Sequence, residues 1–380
     1  MDLDALRGRI DGIDDQLLAL FKERMGLSGE VAHYKKENNL PVLNTGRERA
    51  ILNRMAELSG EELERYTRVL FSTLFDLSRA HQAQQIGGRS PIVEAIEAAR
   101  AENLQQFPSK AVVACQGVEG AYSQLACDKL FRSANIMYFR TFDGVFSAVQ
   151  QGLCQYGILP IENSSAGSVT KVYDLMKQYK FYIARSLRLR IDHCLLAKPG
   201  VALEDVTEIV SHEQALSQCA QFIKDHPKLK ITVCENTAAA AQAVAQSSRR
   251  DIAAISSKNC AGLYGLSALS HNVQDSDNNY TRFICISKNF ELYPGADKIS
   301  LMLSTEHSPG ALYRLITKFA ALQLNLSKLE SRPIPGTDFE FMFYFDIDAW
   351  VGDPQVVKLL CELESTLDQF VFLGNYSEVI

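Results

Sequence analysis

Arg24 stands four residues after Leu20 and three before Leu27, at a step where the surrounding pattern otherwise places apolar side chains. Leu3, Leu6, Ile10, Ile13, Leu17, Leu20, Leu27 and Val31 follow alternating steps of three and four, which is the spacing of one helical face. Lys35 lies 11 residues beyond Arg24, three turns plus about 20°, so it shares that face. Arg7 borders the stripe between Leu3 and Ile10, and Arg47 precedes Ile51 by four on the inward side of another helix. Ser78 and Gln82 are i,i+4 neighbours beside a stripe of Leu63, Leu70, Leu74 and Leu77. Any one of these cations could snorkel to water or pair with Glu23, Glu30 or Glu48. Four on two helices of one small three-helix segment are harder to place that way. Buried charge needs a partner, and the natural one is a small anion inside the bundle.

A second set of polar residues falls where apolar runs end. YGILPI is followed by Glu162, Asn163, Ser164 and Ser165; EIV by Ser211 and His212, with Gln218 beyond; DIAAI by Ser256 and Ser257. GVEGAYS, residues 117–123, puts two glycines and a serine where a strand hands over to a helix. In open α/β sheets ligands bind beyond the carboxyl ends of strands, and small polar residues at helix N-termini make a neutral cradle for an anion. Helix capping accounts for many such serines taken singly. In DNNYTRFICI, residues 277–286, Thr281 and Arg282 stand at the mouth of a buried strand. Propensity alone reads them as a β-branched strand residue and a surface cation.

These residues need three kinds of scaffold. Residues 1–86 read as helix almost throughout: one to about Lys36, then two near 46–58 and 62–84. The first, roughly 50 Å long, is too long for so small a domain to cover, so it should pack along a second copy of itself. IGGRSP, residues 86–91, marks a boundary, followed by a short helix over 91–101. Residues 110–288 alternate short apolar runs with helical stretches, the pattern of a doubly wound α/β sheet split into two lobes. Residues 298–376 read βαββαβ, a ferredoxin-like α+β order, with Phe339, Phe341, Phe343, Phe345 and Ile347 alternating along one strand. The expected organisation is a multidomain chain: an all-α bundle over 1–88, a linker with a short helix over 89–109, a two-lobed α/β domain over 110–288 and a ferredoxin-like domain over 297–376.

Composition narrows the function classes. The 380 residues are 47% hydrophobic and 22% charged, ordinary for a soluble globular protein. A net charge of −6 argues against nucleic acid, and no apolar run is long enough to imply a membrane span. The N-terminus lacks a signal peptide's apolar core, so a cytoplasmic enzyme is expected. Nine scattered cysteines without CxxC or Cys/His clusters read as free thiols in a reducing compartment. His193, His212 and His271 carry no ligand spacing, so no metal and no cofactor is expected.

The helical segment LDALRGRIDGIDDQLLALFKERMGLSGEVAHYK, followed by P-V-x-x-x-x-R-E, resembles the all-helical chorismate mutase family. That resemblance implies an intertwined dimer, or a higher homo-oligomer, and an active site of Arg7, Arg24, Lys35, Arg47, Glu48, Ser78 and Gln82, with Arg7 reaching into the other chain's site. Asn44 stands where the family often has an acidic residue. The chemistry fits: rearranging chorismate to prephenate needs no nucleophile, only cations that hold two carboxylates in the reactive conformer and donors at the ether oxygen.

LPIENSSAGSV and YTRF resemble the prephenate dehydratase family, and GVEGAYS resembles its opening motif with departures at Gln116, Val118 and Ala121. The resemblance implies catalytic roles for Asn163, Ser211, Gln218, Thr281 and Arg282, with Glu162 nearby. Thr281 would donate to the departing hydroxide and Arg282 would grip a carboxylate. SPGALYRL and SKLESRPIPG resemble the phenylalanine-sensing ACT domain, implying effector contacts at Gly310, Ala311, Leu312, Glu330 and Ser331. The whole chain thus resembles the bifunctional chorismate mutase/prephenate dehydratases, with chorismate and prephenate as substrates and phenylalanine as allosteric inhibitor. Two other readings stand beside it: a dehydratase with weak mutase activity or a preference for arogenate, and a two-lobed metabolite sensor without catalysis.

Overall fold

The computed structural model describes residues 2–38, 40–86, 90–334 and 341–380. The expected boundary at Gly87–Arg89, the Pro335–Gly336 turn and the Phe339 end of the aromatic strand lie outside them. The helical segment is α1 (Leu3–Glu37), α2 (Thr45–Ile86) and α3 (Pro91–Glu102). Asp4 in the first turn of α1 and Lys35 and Lys36 in its last complement the helix dipole. Gly60 interrupts α2 at φ 73°, ψ 165°, so it is in effect the two helices expected. Asn44 accounts locally for its own presence: its Oδ1 accepts from the Arg47 backbone N–H at 3.0 Å and caps α2.

The middle segment runs β1 (Lys110–Gln116), α4 (Tyr122–Leu130), β2 (Ser133–Phe139), α5 (Phe142–Gln150), β3 (Tyr156–Asn163), β4 (Gly167–Ser168), α6 (Thr170–Tyr179), β5 (Tyr182–Arg190) and β6 (Cys194–Ala197). It continues with β7 (Glu208–Ser211), α7 (Glu213–Ser217), α8 (Ala220–Asp225), β8 (Lys230–Val233), α9 (Thr237–Gln246), β9 (Ile252–Ser256), α10 (Asn259–Tyr264), β10 (Ser267–Ser270) and β11 (Tyr280–Ser287). The last segment is β12 (Lys298–Ser304), α11 (Ala311–Ala321), β13 (Asn325–Pro333), β14 (Phe341–Asp348), α12 (Pro354–Thr366), β15 (Phe370–Tyr376) and β16 (Glu378–Val379).

By internal contacts the chain forms two compact units, and the C-terminal segment contributes to both. One comprises residues 1–95, 303–344 and 351–370; the other comprises 96–302, 345–350 and 371–380. In the second unit β16-β5-β11-β3-β1-β2 form one sheet, with β4 beside β3, and β10-β6-β9-β7-β8 form another. Parallel β1, β2 and β3 are joined by antiparallel β11, and parallel β7, β8 and β9 by antiparallel β6. The α/β alternation therefore builds two lobes, each with its own buried apolar core. The chain crosses between lobes twice, at 191–193 and 271–279. Ile191 N–H to Asn279 O (2.8 Å) and Val273 N–H to His193 O (3.0 Å) lace the two crossings together.

The third sheet has the order β13-β14-β12-β15. With α11 and α12 interposed, the segment has the βαββαβ order read from the sequence. β16 was not anticipated. Two residues long, it pairs in parallel with β5 through Glu378↔Ser186 and Val379↔Leu187. Among the described residues no helix is long and apolar enough to cross a membrane, and all nine cysteines are free.

Candidate functional sites

In the helical segment α1 and α2 bring Arg24, Lys35, Ser78 and Gln82 together. Arg24 Nη1 donates to Ser78 Oγ (2.5 Å) and to Leu74 O (3.2 Å), and its guanidinium lies 5.9 Å from the centre of the Phe75 ring. Burial pulls the Arg24 pKa below the usual arginine value. Lys35 Nζ donates to Gln82 Oε1 (3.1 Å) and Val42 O (2.6 Å), and Gln82 Nε2 donates to Ser28 Oγ (3.0 Å). Ser28 went unread in the sequence, although its place four after Arg24 and seven before Lys35 puts it on the same face.

The other expected members sit differently. Arg7 is exposed and pairs with Asp4 on its own helix at 3.2 Å. Arg47 is exposed. Both carboxylate oxygens of Glu48 accept from Arg79 Nη1, at 2.7 and 2.5 Å, and Arg79 also pairs with Asp76. Asp76 in turn lies 3.5 Å from Arg314 Nε. Burial raises the Asp76 carboxyl above its ordinary range, while Arg79, Arg314 and Lys318 oppose that rise. Neither Arg79 nor Asp76 was singled out in the sequence; a cation adjoining Ser78 was the available signal.

The α/β unit holds a cleft of about 310 Å³ between its lobes. Pro160 and Asn163 of β3, Thr281 and Phe283 of β11, and the crossing residues Ile191 and His193 line it from one side. His212, Gln214, Gln218, Asn236 and Thr237 line it from the other, and Gln116, Tyr122 and Ser123 come from the GVEGAYS turn. Pro160 and Asn163 are three apart, an odd step that strand alternation forbids. A bulge allows it: Arg282 pairs with Glu162 but Phe283 pairs with Pro160, leaving Ile161 as the extra residue. No lysine or arginine is among the described residues lining the cleft. It is the neutral cradle the strand ends suggested, with α4, α7 and α9 opening their N-termini onto it.

Asn163 organises the floor. Its Oδ1 accepts from the backbone N–H groups of Ser165 (3.0 Å) and Ala166 (2.9 Å) and from Gln218 Nε2 (3.2 Å). Its Nδ2 shares two N–H groups among Asn279 Oδ1 (2.8 Å), Tyr280 O (3.2 Å) and Thr281 Oγ1 (3.0 Å). Burial lowers the pKa of both His193 and His212, holding each imidazole neutral. Glu235, Asn236 and Thr237, at the β8–α9 turn, also line the cleft and were missed; an Asn-Thr pair after the apolar run ITVC was the signal.

Two expected catalytic side chains point elsewhere. Ser211 is fully buried and donates to Ile255 O at 2.6 Å, tying the ends of β7 and β9 together beneath the cleft. Arg282 lies on the opposite face of β11 from Thr281, as adjacent strand residues must. It does not line the cleft. It is 6% exposed and donates to Glu162 Oε1 (3.0 Å), Asp346 Oδ2 (2.6 Å) and the Tyr376 hydroxyl (3.1 Å). Ser300 adds a hydroxyl bond to Asp346. Arg282 is thus the hub of a buried ion cluster, not a grip on a bound carboxylate. Arg282→Ala should take the guanidinium from Glu162 and buried Asp346, costing about 3–5 kcal/mol. The unfolding midpoint of the α/β unit should fall by on the order of 10 °C. A midpoint unchanged within 2 °C, with only substrate affinity lost, would restore Arg282 to the binding site.

In the C-terminal segment Gly310, at φ 80°, caps α11, and a depression of about 370 Å³ is lined by Thr305–Pro309, Ala311, Leu312, Phe341 and Phe343. Arg314 holds the preceding loop through Pro309 O and Ser308 Oγ, both at 3.2 Å. Glu330 is not part of this lining; it pairs with Lys328 and Arg332 along β13, each at 3.4 Å, and Ser331 is exposed.

Comparison with known proteins follows the same division. Residues 6–83 match the family model Chorismate mutase type II, and residues 113–291 match Prephenate dehydratase. The chain is 33% identical over 381 residues to the Bifunctional chorismate mutase/prephenate dehydratase of Enterobacter agglomerans, covering 98% of this chain and 95% of that one. It is 35% identical over 285 residues to a chloroplastic arogenate dehydratase/prephenate dehydratase of Arabidopsis thaliana, covering 70% of this chain and 72% of the other. Among solved structures, the prephenate dehydratase of Arthrobacter aurescens in complex with L-Phe superposes with a TM-score of 0.64 at 29% identity, over 70% of this chain and 89% of that one.

Proposed function

This chain belongs to the bifunctional chorismate mutase/prephenate dehydratases and catalyses both reactions; from that premise we propose which of its side chains carry each step. The observation that carries the reading is the presence, in one chain, of a half-buried cationic cluster between two helices and a polar cleft between two α/β lobes whose described lining holds no lysine or arginine.

In the mutase segment one C–O bond breaks and one C–C bond forms within chorismate, with no proton transferred. Arg24 holds a substrate carboxylate, relinquishing Ser78 or sharing it. Lys35, with one N–H beyond those given to Gln82 and Val42, meets the ether oxygen as negative charge grows there. Arg7 completes the site of a second copy. The exposed stripe of α1 supports that dimer: Leu3, Ile10, Leu17 and Leu20 keep 58%, 55%, 56% and 62% of their surface exposed.

In the cleft, prephenate loses carbon dioxide and hydroxide together. The electrons of the carboxylate–ring bond enter the ring and expel the hydroxide, which takes its net proton from solvent and leaves as water. Thr281 donates to that oxygen. Asn163 and Gln218 fix Thr281, Ser211 supports the β7 end that carries His212, and helix N-termini take the carboxylates. A coupled assay, chorismate in and phenylpyruvate out, tests the whole reading; product must form without added mutase.

The C-terminal depression around Ala311 and Leu312 is proposed as the phenylalanine site, with Gly310 allowing close approach of the effector carboxylate to the start of α11. Its apolar wall of Phe341 and Phe343 suits an aromatic side chain. Millimolar phenylalanine should depress dehydratase activity saturably, and Leu312→Asp should remove that response while sparing uninhibited turnover. An unchanged response in the variant places the effector elsewhere.

A second reading of the cleft comes from Glu235, an acidic side chain in its described lining. Its carboxylate would suit the ammonium that arogenate carries where prephenate has a keto group. Relative kcat/KM for the two substrates decides between them.

A further inference from the structure

We propose that His193 is a positioning residue of the cleft: its Nε2–H, donated to Gln218 Oε1, sets the direction of a one-way hydrogen-bond chain that ends on Thr281. The inference rests on the dehydratase reading of the cleft, and the direction of the chain follows from groups that have no choice of role. Backbone N–H groups can only donate, and those of Ser165 and Ala166 point at one atom of the Asn163 amide. That atom must be oxygen. The Asn163 nitrogen then faces three acceptors, Asn279 Oδ1 (2.8 Å), Thr281 Oγ1 (3.0 Å) and the Tyr280 carbonyl (3.2 Å), among which it shares its two N–H groups. Gln218 must offer its nitrogen to the Asn163 oxygen, so its own oxygen faces His193 Nε2 at 3.1 Å and Asn279 Nδ2 at 3.0 Å. An oxygen that can only accept requires the imidazole proton on Nε2.

Along this path the donors point one way, His193 to Gln218, Gln218 to Asn163, Asn163 to Thr281, while a side branch runs from Asn163 to Asn279 and back to Gln218. The last acceptor is the Thr281 oxygen, so its own hydrogen is free to donate into the cleft. Aligned donors polarise one another in a site of low dielectric, which strengthens that final donation. His193 is built in firmly. It is 2% exposed, its backbone N–H donates to Gln274 Oε1 (2.9 Å), and its ring meets Tyr122 edge-on at 6.1 Å. It also sits on the 191–193 crossing, so one side chain ties the crossing to both lobes. Its Nδ1 is buried and meets no partner among the described residues, in keeping with the bare nitrogen the chain demands.

The test has two arms on the full-length protein. Nitrogen-resolved NMR of the imidazoles should place the His193 proton on Nε2; a proton on Nδ1 overturns the proposal, whatever the activity. His193→Phe keeps a ring against Tyr122 and removes the donor. Dehydratase kcat should fall about tenfold or more with KM nearly constant, and mutase turnover should be unchanged. His193→Gln, which can present an N–H near the Nε2 position, should recover part of the loss. Equal impairment in both variants, or a loss confined to KM, overturns it. If wild type forms no product from prephenate, the reading of the cleft falls, while the NMR arm still decides the tautomer.

Discussion

Thr281→Ala is expected to lower dehydratase kcat by about 100- to 1,000-fold while conversion of chorismate to prephenate proceeds at the wild-type rate. The size follows from the leaving group. Hydroxide departs poorly unless a proton or a strong donor meets it, and the described residues lining the cleft include no lysine, no arginine and two imidazoles held neutral by burial. The Thr281 hydroxyl is the donor freed for the task, because its oxygen is already committed as acceptor to Asn163. Thr281→Ser should retain most activity, and Thr281→Val, of nearly equal volume, should be as inactive as alanine. The measurement is phenylpyruvate formation from added prephenate, beside chorismate consumption. Near-normal phenylpyruvate from the alanine variant would remove Thr281 from the mechanism. Because the mutase cluster lies in the other compact unit, its preserved rate separates the two activities, and an unchanged unfolding midpoint of the α/β unit shows that the variant has folded.

Local rules made much of the architecture legible. Three-and-four spacing drew α1, and the alternation of apolar runs with helical stretches drew both lobes, because each rule concerns what one element must bury. The cleft was legible as a set of strand ends. Which side chains turn into it was not. YTRF contains one residue for each face of β11, and only pairing with β3 decides that Thr281 faces the cleft while Arg282 joins Asp346, some 64 residues distant in sequence. The bulge at Ile161, which lets Pro160 and Asn163 share a wall, is a property of two strands in register and has no single-strand signature. Ser211 illustrates the opposite difficulty. A serine after a strand looks the same whether its hydroxyl reaches a ligand or, as here, the neighbouring strand's carbonyl. Arg79 escaped notice because it falls outside the apolar stripe; its importance comes from Glu48, 31 positions away. In the sequence His193 shows only that it lacks metal-ligand spacing, and its polarity in the chain through Gln218 emerges only when the donors are traced.

Lys35→Ala should reduce mutase kcat by about 100- to 1,000-fold and leave dehydration of added prephenate intact. In the rearrangement the ether oxygen gains negative charge as its bond to carbon lengthens, so a cation that meets it binds the transition state more tightly than the substrate. The alanine variant should therefore lose kcat more than it gains KM. Arg24 contributes differently. A group that holds a carboxylate in both ground and transition states shows its loss largely in KM, so Arg24→Ala should raise KM as well as lower kcat. Lys35→Arg is the informative control. The guanidinium keeps the charge but brings a wider, planar fork into a place where one nitrogen already spans Gln82 and Val42. It should recover only part of the lost rate. If Lys35→Ala leaves kcat within about threefold of wild type, the developing charge is met by another group. Gln82, whose amide nitrogen now serves Ser28, would be the residue to examine.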